Sequence, residues 1–207
     1  MNQRSSIKAF TLVETLLVAS IFLIIMIGVT SFERDTFQVN TISSGSFSTA
    51  QGAQEILRTM VVQLRSASEG SDGSYPILTA GSTTLTFFSD INGDGKKERI
   101  RYFLSSTTLE EGIMEPIGTP LSYNNATETI SYVAYNVRNL TLASSTNIFD
   151  YYNDTYNGTS SPLTQPVSVS AVRLVKITLI LDLNPNQAPL PRTYTTQVSL
   201  RNLKDNL

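Results

Sequence analysis

The longest apolar run of the chain lies near its beginning, between Phe10 and Phe32. Glu14 is the one charged residue of this run, and the rest is mostly Leu, Ile, Val, Phe, Met and Ala. Because about 20 apolar residues cross the ~30 Å hydrocarbon layer as a helix, the run predicts a transmembrane helix over that span. Arg4 and Lys8 precede it, which predicts a cytoplasmic N-terminus and an exported remainder.

A helical spacing of apolar residues continues beyond this run into a more polar segment. These residues are Val39, Ile42, Phe47, Ala50, Ala53, Leu57, Met60 and Leu64. Apart from a short Ser-Ser-Gly stretch ending at Gly45, no turn cluster interrupts the pattern, which predicts one long helix over 10–67 with a kink or loosening at that glycine. We expect the second half of the helix to pack on the globular part through Ile56, Leu57, Met60, Val61 and Leu64.

After a loop over 66–74, the periodicity changes to that of β-strands. The pattern predicts a hairpin of strands at 85–88 and 99–104, and further strands at 129–135, 137–142, 172–183 and 192–200. An aromatic segment, 149–152, is interpreted as the start of a surface loop that ends near Pro166. These elements predict an α+β protein, in which a long N-terminal helix packs on an antiparallel β-sheet head over 68–207.

The strand at 172–183 gives the strongest strand signal, because aliphatic residues fill one of its faces almost completely. That face consists of Arg173, Val175, Ile177, Leu179, Leu181 and Leu183. We expect this face to pack on the long helix.

The composition narrows the chemistry that this chain can perform. The 207 residues include neither Cys nor His, so disulfides, thiolate sites and the usual general base are missing. The formal net charge is −2, and no block of Lys and Arg occurs. We therefore expect a protein that is not an enzyme and does not bind nucleic acid.

Oxygen-bearing residues recur in the turn between the two hairpin strands. Counted from Asp90 as position 1, side-chain oxygens occur at positions 1, 3, 5 and 9, which are Asp90, Asn92, Asp94 and Glu98. Lys96, at position 7, offers its backbone carbonyl. Gly95 at position 6 allows a sharp bend, and Ca²⁺ prefers such a set of hard oxygen ligands. The turn therefore predicts a structural Ca²⁺ site. The alternative is a solvated hairpin turn, for which Asp, Asn and Gly are favoured in any case.

The start of the apolar run carries a specific motif. A short polar leader ends at Ala9 and is followed by Phe10, Thr11, Leu12, Val13 and Glu14. This motif resembles the processing site of type IV prepilins and pseudopilins, although Ala9 stands where Gly is usual. The resemblance covers residues 1–30.

The resemblance implies a role for each part of this segment. A prepilin peptidase would remove residues 1–9 by cutting between Ala9 and Phe10, and the new amine of Phe10 would be methylated. Glu14 would pair with the terminal amine of a neighbouring subunit during assembly, since an unpaired carboxylate within a membrane is unfavourable. The protein would be a single-pass inner-membrane protein with its head outside, and later part of a filament. Its partners would be membrane lipid, other pilin or pseudopilin subunits, the peptidase and an inner-membrane assembly platform.

Two later segments resemble the larger minor pseudopilins, the J-type subunits of type II secretion. They are the aromatic stretch 149–152, which precedes a late Val-rich strand, and the final segment 198–204. An alternative interpretation is a secreted or membrane-anchored Ca²⁺-binding β-domain, adhesin-like, with an ordinary signal sequence. Gly28-Val29-Thr30 would then be the cleavage site.

Overall fold

The computed structural model describes residues 11–142, 145–182 and 190–203, without the side chains of residues 38, 41–49 and 201. It contains a long N-terminal helix and a separate domain of antiparallel sheets, which confirms the α+β class. The chain divides into two compact units after Gly45.

Helix α1 extends from Leu12 to Arg65 and contains 54 residues. It begins after Thr11, whose Oγ1 accepts a hydrogen bond of 3.3 Å from the backbone N–H of Glu14, as a helix cap does. Arg65 lies in the last turn, where a cation is favoured by the helix dipole. The predicted span of 10–67 includes residue 10, which lies outside the described residues, and residues 66–67, which follow the end of the helix.

Within the described part of the chain, ten strands follow the helix. They are β1 (Ile77–Ala80), β2 (Thr84–Ser89), β3 (Glu98–Ser105), β4 (Thr108–Met114), β5 (Pro116–Ile117), β6 (Ser122–Tyr123), β7 (Thr129–Ala134), β8 (Phe149–Tyr152), β9 (Leu174–Leu181) and β10 (Arg192–Ser199). The first sheet has the order β1-β2-β3-β4-β7, and a second has the order β10-β9-β8. The predicted hairpin is confirmed as β2 and β3, with Phe87 opposite Ile100.

The aromatic segment Phe149–Tyr152 is strand β8, so its interpretation as the start of a surface loop is wrong. Phe149 and Tyr151 are buried, and Tyr151 pairs with Val175 of β9. The Tyr151 hydroxyl also donates a hydrogen bond of 2.8 Å to the carbonyl oxygen of Gly81. This bond connects the second sheet to the turn between β1 and β2, which explains why an aromatic residue with a polar end is used here.

The predicted strand at 137–142 is also wrong. Only Val137 makes a β-bridge, to Leu181, and the chain then turns away. The buried side chain of Asn139 continues the pairing instead. It donates from Nδ2 to the carbonyl oxygen of Thr178 and accepts at Oδ1 from the N–H of Ile180, both at 2.8 Å.

The hydrophobic core lies between the second half of α1 and the sheets. Met60 and Leu64 of α1 are completely buried, and Ile56 and Val61 are partly buried at the edge of the same cluster. The expected face of β9 contributes Val175, Ile177, Leu179 and Leu181 to this cluster. Burial of such aliphatic side chains stabilises the domain by about 1.5–3 kcal/mol each.

Candidate functional site

The first candidate site is the apolar part of α1. Leu12–Phe37 is a stretch of 26 residues, in which a segment of 18 residues has a mean hydropathy of 2.6, and none of that segment is buried within the protein. Leu12 is 78% exposed and Ile24 is 70% exposed. Because exposure of this much apolar surface to water is unfavourable, the stretch requires a hydrophobic environment. By length and composition, it could serve as a membrane span or as a signal sequence.

The hydroxyl groups of this stretch are satisfied inside the helix. Each donates to a backbone carbonyl three or four residues earlier: Thr15 to Leu12 at 2.9 Å, Ser20 to Leu17 at 2.8 Å, Thr30 to Met26 at 2.9 Å and Ser31 to Ile27 at 2.9 Å. Such bonds remove the cost of placing a hydroxyl in a medium without water. The hydroxyl-bearing residues of the stretch are therefore compatible with lipid.

Glu14 is exposed in the first turn of α1. Its backbone N–H binds the capping Thr11, and the pair has the Thr-x-x-Glu spacing of a capping box. An acidic residue at this end is also favoured by the helix dipole. The other residues of the predicted processing site, Ala9 and Phe10, lie outside the described residues.

The second candidate site is the turn between β2 and β3, which carries the predicted Ca²⁺ ligands. Asp90 is its centre: Oδ1 accepts a hydrogen bond of 2.7 Å from Gly93 N–H, and Oδ2 accepts one of 3.0 Å from Gly95 N–H. Lys97 Nζ lies 3.4 Å from the same Oδ2. Although desolvation opposes the effect, these bonds hold the pKa of Asp90 below its ordinary value.

The other oxygen-bearing side chains of the turn also accept backbone hydrogen bonds. Asn92 Oδ1 accepts from Asp94 N–H at 3.0 Å, and Asp94 Oδ1 accepts from Lys96 N–H at 2.8 Å. Glu98 is buried, with Oε2 accepting from Ile91 N–H at 2.9 Å. Gly93 and Gly95 have φ angles of +78° and +87°, a region that favours glycine. The turn therefore has the local bonding of a well-formed hairpin loop.

These hydrogen bonds bear on whether the turn binds a metal ion. Within the described part of the chain, no three acidic side chains converge closely enough to hold an ion. The hydrogen bonds within the turn satisfy many of the oxygens that Ca²⁺ would need, while each carboxylate keeps further lone pairs for a cation. Ca²⁺ binding by Asp90, Asn92, Asp94, Lys96 and Glu98 stays a prediction.

This turn is held in place by Ser71 and Tyr123, two residues that the sequence analysis did not identify. Ser71 Oγ accepts a hydrogen bond of 2.8 Å from Lys97 N–H. The Tyr123 hydroxyl donates to the carbonyl oxygen of Lys97 and accepts from Ser71 N–H at 3.0 Å. Burial raises the pKa of Tyr123. Both residues are distant from the turn in sequence, so local patterns contain no signal for them.

Comparison with known proteins brings no further residues to the site. No protein-family model and no curated protein matches this chain. The residues of the chain itself, above all those of the N-terminal apolar segment, are therefore the guide to its function.

Proposed function

We propose that this chain is a structural subunit of a type IV pilus or of a type II secretion-like filament, namely a minor pilin or pseudopilin. The observation that carries the proposal is that a single helix, α1, contains both the exposed apolar stretch Leu12–Phe37 and the buried core residues Met60 and Leu64. A disposable signal sequence has no need to continue as a helix into the core of the exported domain, because it is removed. In a retained anchor, such a continuous helix connects the apolar stretch to the exported domain.

The prepilin-like motif supports this proposal independently. A prepilin peptidase removes residues 1–9 after Ala9, and Phe10 becomes the methylated N-terminus. The mature protein then begins at Phe10, spans the membrane with the part 10–32 of its long N-terminal helix, and ends in a β-rich head, 68–207. The antiparallel sheets that follow the long helix agree with a pilin fold.

The proposed assembly uses the same apolar surface twice. In the inner membrane, the apolar stretch faces lipid, and the N-terminus stays in the cytoplasm while the head is outside. In the filament, the apolar stretches of neighbouring subunits cover one another, after extraction from the membrane by an assembly platform. Glu14 pairs with the N-terminal amine of a neighbouring subunit, which removes the cost of an unpaired intramembrane carboxylate.

Replacement of Glu14 tests this assembly step. We expect Glu14→Ala to reach the membrane normally but to enter filaments about tenfold less than the wild type, equivalent to ~1.4 kcal/mol, because the pairing with the neighbour is lost. The measurement is the ratio of filament-associated to membrane-associated protein. Ser20→Ala is the matched control, because it changes a polar residue of the same stretch whose only described side-chain contact is a bond to its own helix. Equal incorporation of Glu14→Ala and Ser20→Ala would contradict the pairing.

A further inference from the structure

The segment between β8 and β9 contains a turn in which one side-chain oxygen collects four hydrogen bonds. Asn157 Oδ1 accepts from Thr159 N–H, Thr159 Oγ1 and Ser160 N–H, each at 3.1 Å, and from Ser160 Oγ at 2.8 Å. Because two of these donors are backbone N–H groups, the atom that faces them must be the carbonyl oxygen of the amide. The side chain of Asn157 is therefore folded over the peptide that follows it.

The residue that follows is Gly158, and the pair is exposed. Gly158 has a φ angle of +94°, and no neighbouring heavy atom lies within 4 Å of the position that a Cβ would occupy. Within the described residues, its N–H has no hydrogen-bond acceptor. Gly158 thus has open space beside its Cα, and its backbone nitrogen takes part in no described hydrogen bond.

We propose that Asn157–Gly158 is a site of spontaneous self-modification, at which the Gly158 nitrogen attacks Cγ of Asn157 and the amide is converted to an acid. A bond forms between this nitrogen and Cγ, and negative charge develops on Oδ1. The four donors around Oδ1 stabilise that charge, as the donors of an oxyanion hole do. The Cγ–Nδ2 bond then breaks, and the amide nitrogen leaves as ammonia with the proton from Gly158. Water opens the resulting succinimide to give aspartate or isoaspartate.

The same chain contains a matched comparison, Asn92–Gly93, in the turn between β2 and β3. Both pairs are exposed and both have glycine at positive φ. Gly93 N–H, however, donates a hydrogen bond of 2.7 Å to Asp90 Oδ1, so its nitrogen is engaged. Asn92 Oδ1 accepts one described hydrogen bond, from Asp94 N–H. The structure therefore assigns different rates to two sites with the same Asn-Gly sequence.

The modification adds a negative charge to a segment that lies on the second sheet. Tyr156 packs on Tyr152 of β8 with 4.2 Å between the ring centroids, and its hydroxyl accepts a hydrogen bond of 3.3 Å from Gln197 of β10. Because Tyr156 directly precedes the reacting asparagine, the exposed face of this sheet changes its charge as the protein ages.

Peptide mapping by mass spectrometry tests the proposal on the full chain in detergent micelles. During incubation at mildly alkaline pH, we expect the peptide with Asn157 to gain the mass of one amide-to-acid conversion several-fold faster than the peptide with Asn92. Equal rates, or faster conversion of Asn92, would overturn the proposal, and this comparison needs no variant.

A pair of variants tests the role of the donors around Oδ1. We expect Ser160→Ala to slow the conversion of Asn157 several-fold, because it removes the shortest of the four hydrogen bonds. Thr155→Ala is the matched control: its hydroxyl bonds to Asn153 Oδ1 instead, so the rate at Asn157 should be unchanged. An unchanged or faster rate in Ser160→Ala would show that the donors do not promote the reaction, and the proposal would fail.

Discussion

Asn139 shows how a single buried side chain takes the place of a strand pairing. The residue is completely buried, and its amide binds both a carbonyl and an N–H group of β9. Its amide therefore satisfies two backbone groups that would otherwise lack partners inside the protein. A short segment with Val137, Leu140 and Leu142 has the composition of a strand, so the sequence alone cannot distinguish this arrangement from one.

Loss of the Asn139 amide should be costly. We expect Asn139→Leu to lower the free energy of unfolding by about 3 kcal/mol, because a buried donor and a buried acceptor lose their partners. Chemical denaturation followed by near-UV circular dichroism measures the loss. Asn147→Ala is the control: Asn147 is exposed and has one described side-chain bond, to Asp150, so it should change stability by less than about 1 kcal/mol. Equal effects of the two substitutions would contradict this role.

Arg101 and Glu128 form an ion pair with two hydrogen bonds, of 2.8 and 2.7 Å. The pair depends on Gly112, because a Cβ at that position would lie 2.2 Å from Oε1 of Glu128. The hydrogen bonds from Arg101 lower the pKa of Glu128. Since the folded pKa is lower than the unfolded one, the pair stabilises the fold above the unfolded pKa, and this contribution is lost as the pH falls through the folded pKa.

This linkage predicts an acid-dependent stability. We expect the wild type to lose more unfolding free energy than Glu128→Gln between neutral pH and about pH 3, because only the wild type must protonate this carboxylate to lose the pair. Denaturant midpoints at the two pH values provide the measurement. Glu115→Gln, which changes an exposed acid outside this pair, should keep the wild-type pH dependence. A Glu128→Gln variant with the same pH dependence as the wild type would contradict the assignment.

At the scale of elements, the strength of the local pattern decided which predictions were confirmed. The hairpin of β2 and β3 and the late strands β9 and β10 have aliphatic or β-branched residues in alternation, so their existence could be predicted. Strand β4 contains two glutamates and a glycine, and this weakened its signal. Strand β8 is aromatic and lies beside an Asn- and Ser-rich loop, and only tertiary packing shows that it is buried.

The residues of the two candidate sites also differ in whether the sequence alone could predict them. The apolar stretch and the position of Glu14 could be predicted from the sequence, because length and composition are enough to identify a candidate span or signal sequence. The residues that hold the turn between β2 and β3, Ser71 and Tyr123, could not be predicted, because they contact it from distant parts of the chain.

The turn between β2 and β3 can be tested as an element. If it binds Ca²⁺ as the sequence predicts, isothermal titration of the full chain with Ca²⁺ gives a saturable heat, and Asp94→Ala abolishes it because a ligand is lost. Asp154→Ala, which removes an exposed acid from the segment between β8 and β9, keeps the heat. The absence of heat in the wild type would reduce the turn to a hydrogen-bonded hairpin loop.

At the scale of the whole molecule, the proposed function requires that the apolar stretch is retained after export. A filament subunit must retain it after export, because it supplies the hydrophobic surface through which copies associate. A secreted β-domain with an ordinary signal sequence would lose the stretch at a site near Thr30. The two functions therefore predict mature chains of different length.

The most direct test is the mass of the mature N-terminal peptide, from protein produced in a host with a prepilin peptidase. If the protein is a filament subunit, we expect a chain that begins with N-methylated Phe10 and keeps Glu14 and the apolar stretch. A mature chain that begins near Ser31 would contradict it.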